Sequence, residues 1–291
     1  MSDPDRVTRT RRVRVGSLSL RYSTSGTEGR PLLLVNGLGA NIEMWGPLRR
    51  ALGARRTLAF DAPGTGASST PLRPLTMREL GDVTLGLLDT LELCEVDVLG
   101  YSFGGAVAQE VARAAGADRV HRLVLAATTC GWGALPGDPL ALLALATPLR
   151  YYFGPATAAV TRVFGYAAPT DFSRADAARL EHPPDPVGYC WQVLAALTWS
   201  SLPWLHEIGV PTLVLAAARD RMVHRSTARL LAQRIPDAHL EVLAGEGHFF
   251  LLRQENVAAA RAITKFLDVD ENAVASDGVT SRQVDAEFAC T

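Results

Sequence analysis

The sequence predicts an α/β fold: a mostly parallel central sheet flanked by helices, with a helical insertion between the sixth and seventh strands. Three observations lead there. From Leu32 onward, short apolar runs alternate with helix-like stretches. One apolar run, Val96-Asp97-Val98-Leu99, meets the helix-like stretch 105–112 through the tight turn Gly100-Tyr101-Ser102-Phe103-Gly104. From Gly131 to about His206 the alternation stops and no convincing strand is found.

In chain order, residues 13–15 and 18–22 alternate apolar and polar and read as an antiparallel edge hairpin across Gly16-Ser17. Strands follow at 31–35, 57–60, 96–99 and 120–126, and after the insertion at 210–216 and 240–243. Helices are read over 45–52, 77–91, 104–115, 226–234 and 256–267. Inside the insertion, 140–146, 156–164, 173–180 and 187–197 read as helices divided by proline and glycine. The chain therefore divides into an N-terminal core part (1–130), a lid (131–206), a C-terminal core part (207–269) and a polar tail (270–291) expected to be disordered.

Composition narrows the function. With 291 residues, 48% of them hydrophobic, the chain can bury one large domain with an insertion. A net charge of −1 makes no electrostatic case for a nucleic-acid partner. No stretch approaches the ~18 consecutive apolar residues of a transmembrane helix, and the start has no apolar core for a signal peptide. Cys94, Cys130, Cys190 and Cys290 lack metal-ligand spacing. Reduced thiols, no metal, no organic cofactor and a cytoplasmic location are the expectations. Oligomeric state is not legible.

Gly100-x-Ser102-x-Gly104 alone is a weak pattern, since a glycine turn needs no chemistry. Its setting between a strand and a helix is what a nucleophile elbow requires. Glycines leave room for a strained turn, and the helix N-terminus favours negative charge beside Ser102. A serine needs a base, and the base needs an orienting acid, in the chain order Ser, Asp or Glu, His. Asp220 follows the strand 210–216, and His248 follows the strand 240–243. Both leave the sheet edge where Ser102 emerges. His121, His182, His206, His224 and His239 lack such a loop, and His224 reads as the rim of a helix start. Asp237 precedes its strand and belongs to the opposite edge.

An oxyanion hole needs two backbone amides. Phe103, directly after the serine, is one candidate. The other is Leu38 in the loop Asn36-Gly37-Leu38-Gly39-Ala40-Asn41, which follows the strand 31–35. Gly37 and Gly39 let backbone approach a ligand. They are not a dinucleotide fingerprint, because the third glycine and the distant acid are missing. Asn36, Gly37, Trp132, Tyr189 and Trp191 are the candidate substrate contacts. Most lid aromatics are expected to pack the lid core.

These residues resemble the α/β-hydrolase superfamily, as does Asp61-Ala62-Pro63-Gly64-Thr65-Gly66-Ala67-Ser68 after the strand 57–60. They are most similar to the intracellular medium-chain-length polyhydroxyalkanoate depolymerases. Asn36-Gly37 in place of His-Gly, Leu123-Val124-Leu125-Ala126-Ala127-Thr128, Gly188-Tyr189-Cys190-Trp191-Gln192 and Trp199-Ser200-Ser201-Leu202-Pro203-Trp204 carry the likeness over residues 30–267. The resemblance implies an α/β-hydrolase fold and the triad Ser102, Asp220 and His248. It also implies ester hydrolysis through an acyl-enzyme, on an ester substrate that includes a polyester granule surface. Two departures stand out. Phe103 occupies the usual tryptophan position, and the Asp220 loop lacks the family's neighbouring acids and proline. A small-molecule esterase, thioesterase or lactonase is the alternative on the same triad. A lyase or cyclase, or a catalytically silent ligand-binding fold, is the alternative from other classes.

Overall fold

The computed structural model describes residues 10–145, 148–152, 181–253 and 256–269. Eight strands form one sheet: β1 (Arg11–Val15), β2 (Leu18–Ser25), β3 (Glu28–Val35), β4 (Arg55–Phe60), β5 (Val96–Tyr101), β6 (Val120–Ala126), β7 (Thr212–Ala217) and β8 (Ala238–Leu243). Their spatial order is β1-β2-β4-β3-β5-β6-β7-β8. β1 and β2 form the expected antiparallel hairpin at one edge, β2 runs antiparallel to β4, and all remaining pairs are parallel. Every residue of β5 and β7 is buried. A strand covered on both faces has no polar side to alternate with, so β7 reads as an apolar run after Thr212, and β5 as one interrupted by the buried Asp97.

The covering helices are α1 (Gly46–Leu52), α2 (Met77–Thr90), α3 (Phe103–Ala115), α6 (Arg225–Arg234) and α7 (Val257–Leu267); α4 (Pro139–Leu145) and α5 (Pro186–Leu197) lie in the insertion. One apolar layer takes Leu87 from α2, Val107 and Val111 from α3 and Leu231 from α6. The other takes Leu48 from α1 and Ile263 from α7. α2 starts at a capping box, with Thr76 accepting from the Glu79 amide while the Glu79 carboxylate accepts from Thr76.

Differences from the sequence reading are small and local. β3 begins at Glu28, three residues before its apolar run, because Glu28 pairs with Arg55 across a register shift. Within the insertion, the described residues hold α4, α5, the 3-10 turn Pro148–Tyr151, the start of a second one (Leu205–Glu207) and isolated bridges, with no strand. The helices expected at 156–164 and 173–180, and the tail 270–291, lie outside the described residues. Cys94 is disulfide-bonded, which corrects the expectation of reduced thiols throughout; Cys130 and Cys190 are free. Sequence spacing carries no information on which distant thiols meet. No helix among the described residues is long and apolar enough to cross a membrane.

A buried charge network ties β2 to the loops that leave β3 and β4. Asp61, with no exposure, accepts from the Arg21 Nε at 2.5 Å and from the amides of Ile42 and Ala67 at 2.8 and 2.9 Å. The Arg21 guanidinium also meets both oxygens of Glu43, at 2.8 and 2.9 Å. Burial opposes the charge on Arg21, but hydrogen bonds and charge from Asp61 and Glu43 outweigh it and raise its pKa above the ordinary value. Asp61→Ala strands this cation without its closest partner. It is expected to cost about 3–5 kcal/mol in denaturant unfolding. A loss under about 1 kcal/mol would show that the network does not hold these loops.

Candidate active site

Three glycine positions and one strained residue shape the turn after β5. Ser102 has φ 54° and ψ −119°, outside the regions open to most side chains. Its amide donates to the Ala126 carbonyl at 2.9 Å, and its carbonyl accepts from the Gly105 amide and the Thr128 hydroxyl at 2.9 and 2.7 Å. A Cβ on Gly100 would stand 2.5 Å from the Gly104 carbonyl oxygen, and one on Gly104 would stand 2.1 Å from the Val35 oxygen. A Cβ on Gly105 would press 2.4 Å from Thr128. The turn closes because these side chains are missing, and the packing that removes the space also pays for the strain at Ser102.

His248 Nε2 lies 3.0 Å from Ser102 Oγ, and His248 Nδ1 lies 2.8 Å from Asp220 Oδ2. The His248 and Asp220 side chains are each 4% exposed. Asp220 is held by its other oxygen, which accepts from the amides of Met222 and Val223 at 2.8 and 2.9 Å. With a carboxylate at Nδ1, that nitrogen carries the hydrogen and Nε2 faces the serine hydroxyl as an acceptor. The Tyr101 hydroxyl donates to the His248 carbonyl at 3.0 Å, and its ring packs 5.5 Å from the imidazole. Ser102, Asp220 and His248 thus come together from three loops at the C-terminal edge of the sheet. The rival His224 caps α6, accepting from the Ser226 amide on an exposed rim.

Phe103 is the first residue of α3, so its amide has no acceptor inside the helix. Leu38 lies in the loop after β3. A Cβ on Gly37 would contact Tyr101 at 3.4 Å and Ser102 Cβ at 3.6 Å, which places that loop against the serine. Asn36 braces the loop. Its side chain accepts from the Gly37 amide at 2.9 Å and donates to the Asn41 carbonyl at 2.7 Å. Both ends of the amide help to shape the loop. Tyr189 is fully buried and its hydroxyl donates to the Leu145 carbonyl at 2.7 Å. Trp132 is 69% exposed, with its indole N–H donating to the Leu197 carbonyl. The Trp191 indole nitrogen is buried without a hydrogen-bond partner among the described residues.

Sequence reasoning missed Thr128, the Tyr101 hydroxyl and Gln192. Gln192 is 2% exposed in α5, accepts from the Gly39 amide at 3.0 Å and donates to the Pro63 carbonyl at 3.2 Å. A polar residue inside an amphipathic helix reads as solvated, and nothing local says otherwise. The lid exit is tied down too: the Trp199 indole donates to buried Glu110 at 2.6 Å, and Ser201 donates to Gln109 at 2.6 Å. No cluster of three or more metal-ligating side chains occurs among the described residues. The arrangement can move a proton from a hydroxyl to an imidazole backed by a carboxylate, at the start of α3.

Comparison with known proteins agrees with this fold. The sequence pattern of the alpha/beta hydrolase family matches residues 32–260. This chain belongs to the alpha/beta hydrolase family. Within the family it is 40% identical over 243 residues to a poly(3-hydroxyalkanoate) depolymerase of Ectopseudomonas oleovorans, covering 81% of this chain and 84% of the relative. The enol-lactonase from Burkholderia xenovorans LB400 superposes with TM-score 0.76 at 26% identity, over 88% of this chain and 99% of its own. A hydrolase from Pseudomonas aeruginosa PA01 superposes with TM-score 0.74 at 31% identity, over 90% and 99%. The sheet order and the loop positions described above are those of an α/β-hydrolase fold.

Proposed function

We propose that the chain is a serine hydrolase of carboxylic esters, similar to the poly(3-hydroxyalkanoate) depolymerases and selective for medium-length aliphatic acyl groups. The observation that carries the first part is the hydrogen-bonded line from Ser102 Oγ through His248 to Asp220, 3.0 and 2.8 Å, on a strained elbow. In this reading His248 takes the Ser102 proton as the oxygen attacks the ester carbonyl. The amides of Leu38 and Phe103 receive the oxyanion. Asp220 stabilises the imidazolium, which then protonates the leaving alcohol, and water enters by the reverse route to release the acid. No metal or organic cofactor takes part in these steps. The cytoplasmic location expected from the sequence belongs to the same proposal.

The acyl preference rests on two supports. One is the likeness to a poly(3-hydroxyalkanoate) depolymerase over most of both chains. The other is the lid surface. Ten of the fourteen large apolar side chains exposed among the described residues, including Leu140, Leu143 and Leu197, fall within 131–206. So large an apolar exposure in one segment fits contact with an aliphatic substrate or a polyester surface. The likeness to an enol-lactonase favours a second reading, a small ester or lactone as the natural substrate.

Nitrophenyl esters are expected to show kcat/KM rising with acyl length, by about fourfold for each methylene fully buried in the transition state at about 0.8 kcal/mol. Acetyl esters should be slow. Clearing of a medium-chain polyhydroxyalkanoate suspension separates the two readings. An enzyme that cleaves nitrophenyl octanoate but leaves the suspension turbid is a small-ester hydrolase. One with no length preference has no aliphatic pocket of the kind proposed.

A further inference from the structure

Two buried hydroxyls stand behind the reacting pair, and each holds a backbone carbonyl of one member. We propose that Thr128 and Tyr101 are positioning residues: Thr128 holds the backbone of Ser102, Tyr101 holds that of His248, and together they set the 3.0 Å separation of Ser102 Oγ from His248 Nε2. The inference deepens the proposed ester hydrolysis and rests on that reading of Ser102 and His248.

Strand register brings Thr128 to the serine. Tyr101 pairs with Ala126, so Ser102 and Ala127 are each the first residue past the end of neighbouring parallel strands. Both have a positive φ, 54° and 47°, which residues other than glycine rarely adopt. Such a backbone persists only where its surroundings fix it. Ala127 is fixed from β7, its amide donating to the Leu215 carbonyl at 2.9 Å. The next residue then delivers its hydroxyl to the Ser102 carbonyl, with Thr128 Oγ1 2.7 Å from that oxygen. Thr128 is 3% exposed, and its side chain fills the space where Gly105 has none. Gln109 clamps the same two segments together, its side-chain nitrogen donating to the Gly105 and Thr129 carbonyls at 3.0 Å each.

Tyr101 does the equivalent for the base. It is 2% exposed, and its hydroxyl donates to the His248 carbonyl at 3.0 Å from 147 positions away. Its ring is wedged between Trp45, edge-on at 6.2 Å, and the imidazole at 5.5 Å. The Phe249 ring meets the imidazole at 5.2 Å and 89°. Tyr101 also precedes Ser102 directly in the chain. The loop that carries the base is thereby tied to the strand that carries the nucleophile. The gap between the reacting atoms is set against one strand, β5, rather than between two independent loops.

Thr128→Val keeps the shape of the side chain and removes its hydroxyl. Tyr101→Phe removes the other hydroxyl alone. Each is expected to lower kcat for nitrophenyl octanoate by roughly 10- to 50-fold, with KM within about twofold of wild type, because misaligned proton transfer harms the transition state and not substrate binding. The rate of organophosphonate labelling at Ser102 should fall by the same factor, since it uses the same hydroxyl and imidazole. Thr128→Ser returns the hydroxyl without the methyl and should bring kcat back to within about twofold of wild type, even where it melts lower. A purely structural role gives another pattern: melting temperatures fall while kcat and labelling stay unchanged, or Thr128→Ser is as slow as Thr128→Val. Either result overturns the proposal. Should Thr128→Val fail to fold, Tyr101→Phe decides, and a wild-type kcat there overturns it. Failure of the underlying reading looks different: the wild type then neither hydrolyses an ester nor takes an organophosphonate at Ser102, and the positioning proposal falls with it.

Discussion

Ser102→Ala and His248→Ala are each expected to lower turnover of a medium-chain nitrophenyl ester by about a millionfold, to the residual rate that binding and the oxyanion amides supply alone. The two side chains meet at 3.0 Å, and neither can replace the other. Without the hydroxyl no acyl-enzyme forms; without the imidazole the hydroxyl keeps its proton. The double variant should be no slower than either single one, because both remove the same step. Intact-mass measurement after an organophosphonate should show one adduct, mapped to the peptide with Ser102 and absent from Ser102→Ala. His224→Ala is the control. That ring caps α6 and should leave turnover near wild type while loosening the helix by about 1 kcal/mol. If His224→Ala were as damaging as His248→Ala, the choice of base would be wrong.

Asp220→Asn is expected to cost about four orders of magnitude in kcat with the fold intact. The geometry around Asp220 says why. Its Oδ1 already accepts from the Met222 and Val223 amides at 2.8 and 2.9 Å, so an asparagine must keep its oxygen there. Its NH₂ then points at His248 Nδ1, where the carboxylate oxygen now lies at 2.8 Å. A donor in that place selects the other imidazole tautomer and turns an Nε2–H toward the serine. Circular dichroism and melting temperature should match wild type while kcat collapses. An activity loss of tenfold or less would mean that another acid orients His248.

The two kinds of variant also divide the site by how legible it was. Ser102, Asp220 and His248 could be read because each follows an apolar strand, and strands of this kind announce themselves by composition. Their order then matched the requirement for a nucleophile, an acid and a base at one sheet edge. The elbow glycines could be read as glycines, but not why each is needed. Gly104 is tight against Val35 and Gly105 against Thr128, and these are partners from β3 and from the loop after β6. Asn36 and Tyr189 were read as substrate contacts on type and position. The structure adds that both bind backbone, which type and position do not reveal.

Chain order and side-chain chemistry by themselves determined the strand and helix succession, the edge hairpin, the elbow and the three polar residues at its disposal. These follow from periodicity of two or 3.6 and from turn residues, which act over a few neighbours. Tertiary structure alone decided the rest. It brought His248 within 3.0 Å of Ser102 across 146 positions, and Gln192 within 3.0 Å of the Gly39 amide across 153. It buried Arg21 against Asp61 and engaged Cys94 in a disulfide. The physical reason is the same in each case. A long-range hydrogen bond or ion pair leaves no local trace in the chain, because its strength depends on water being excluded by elements that meet only in the folded protein.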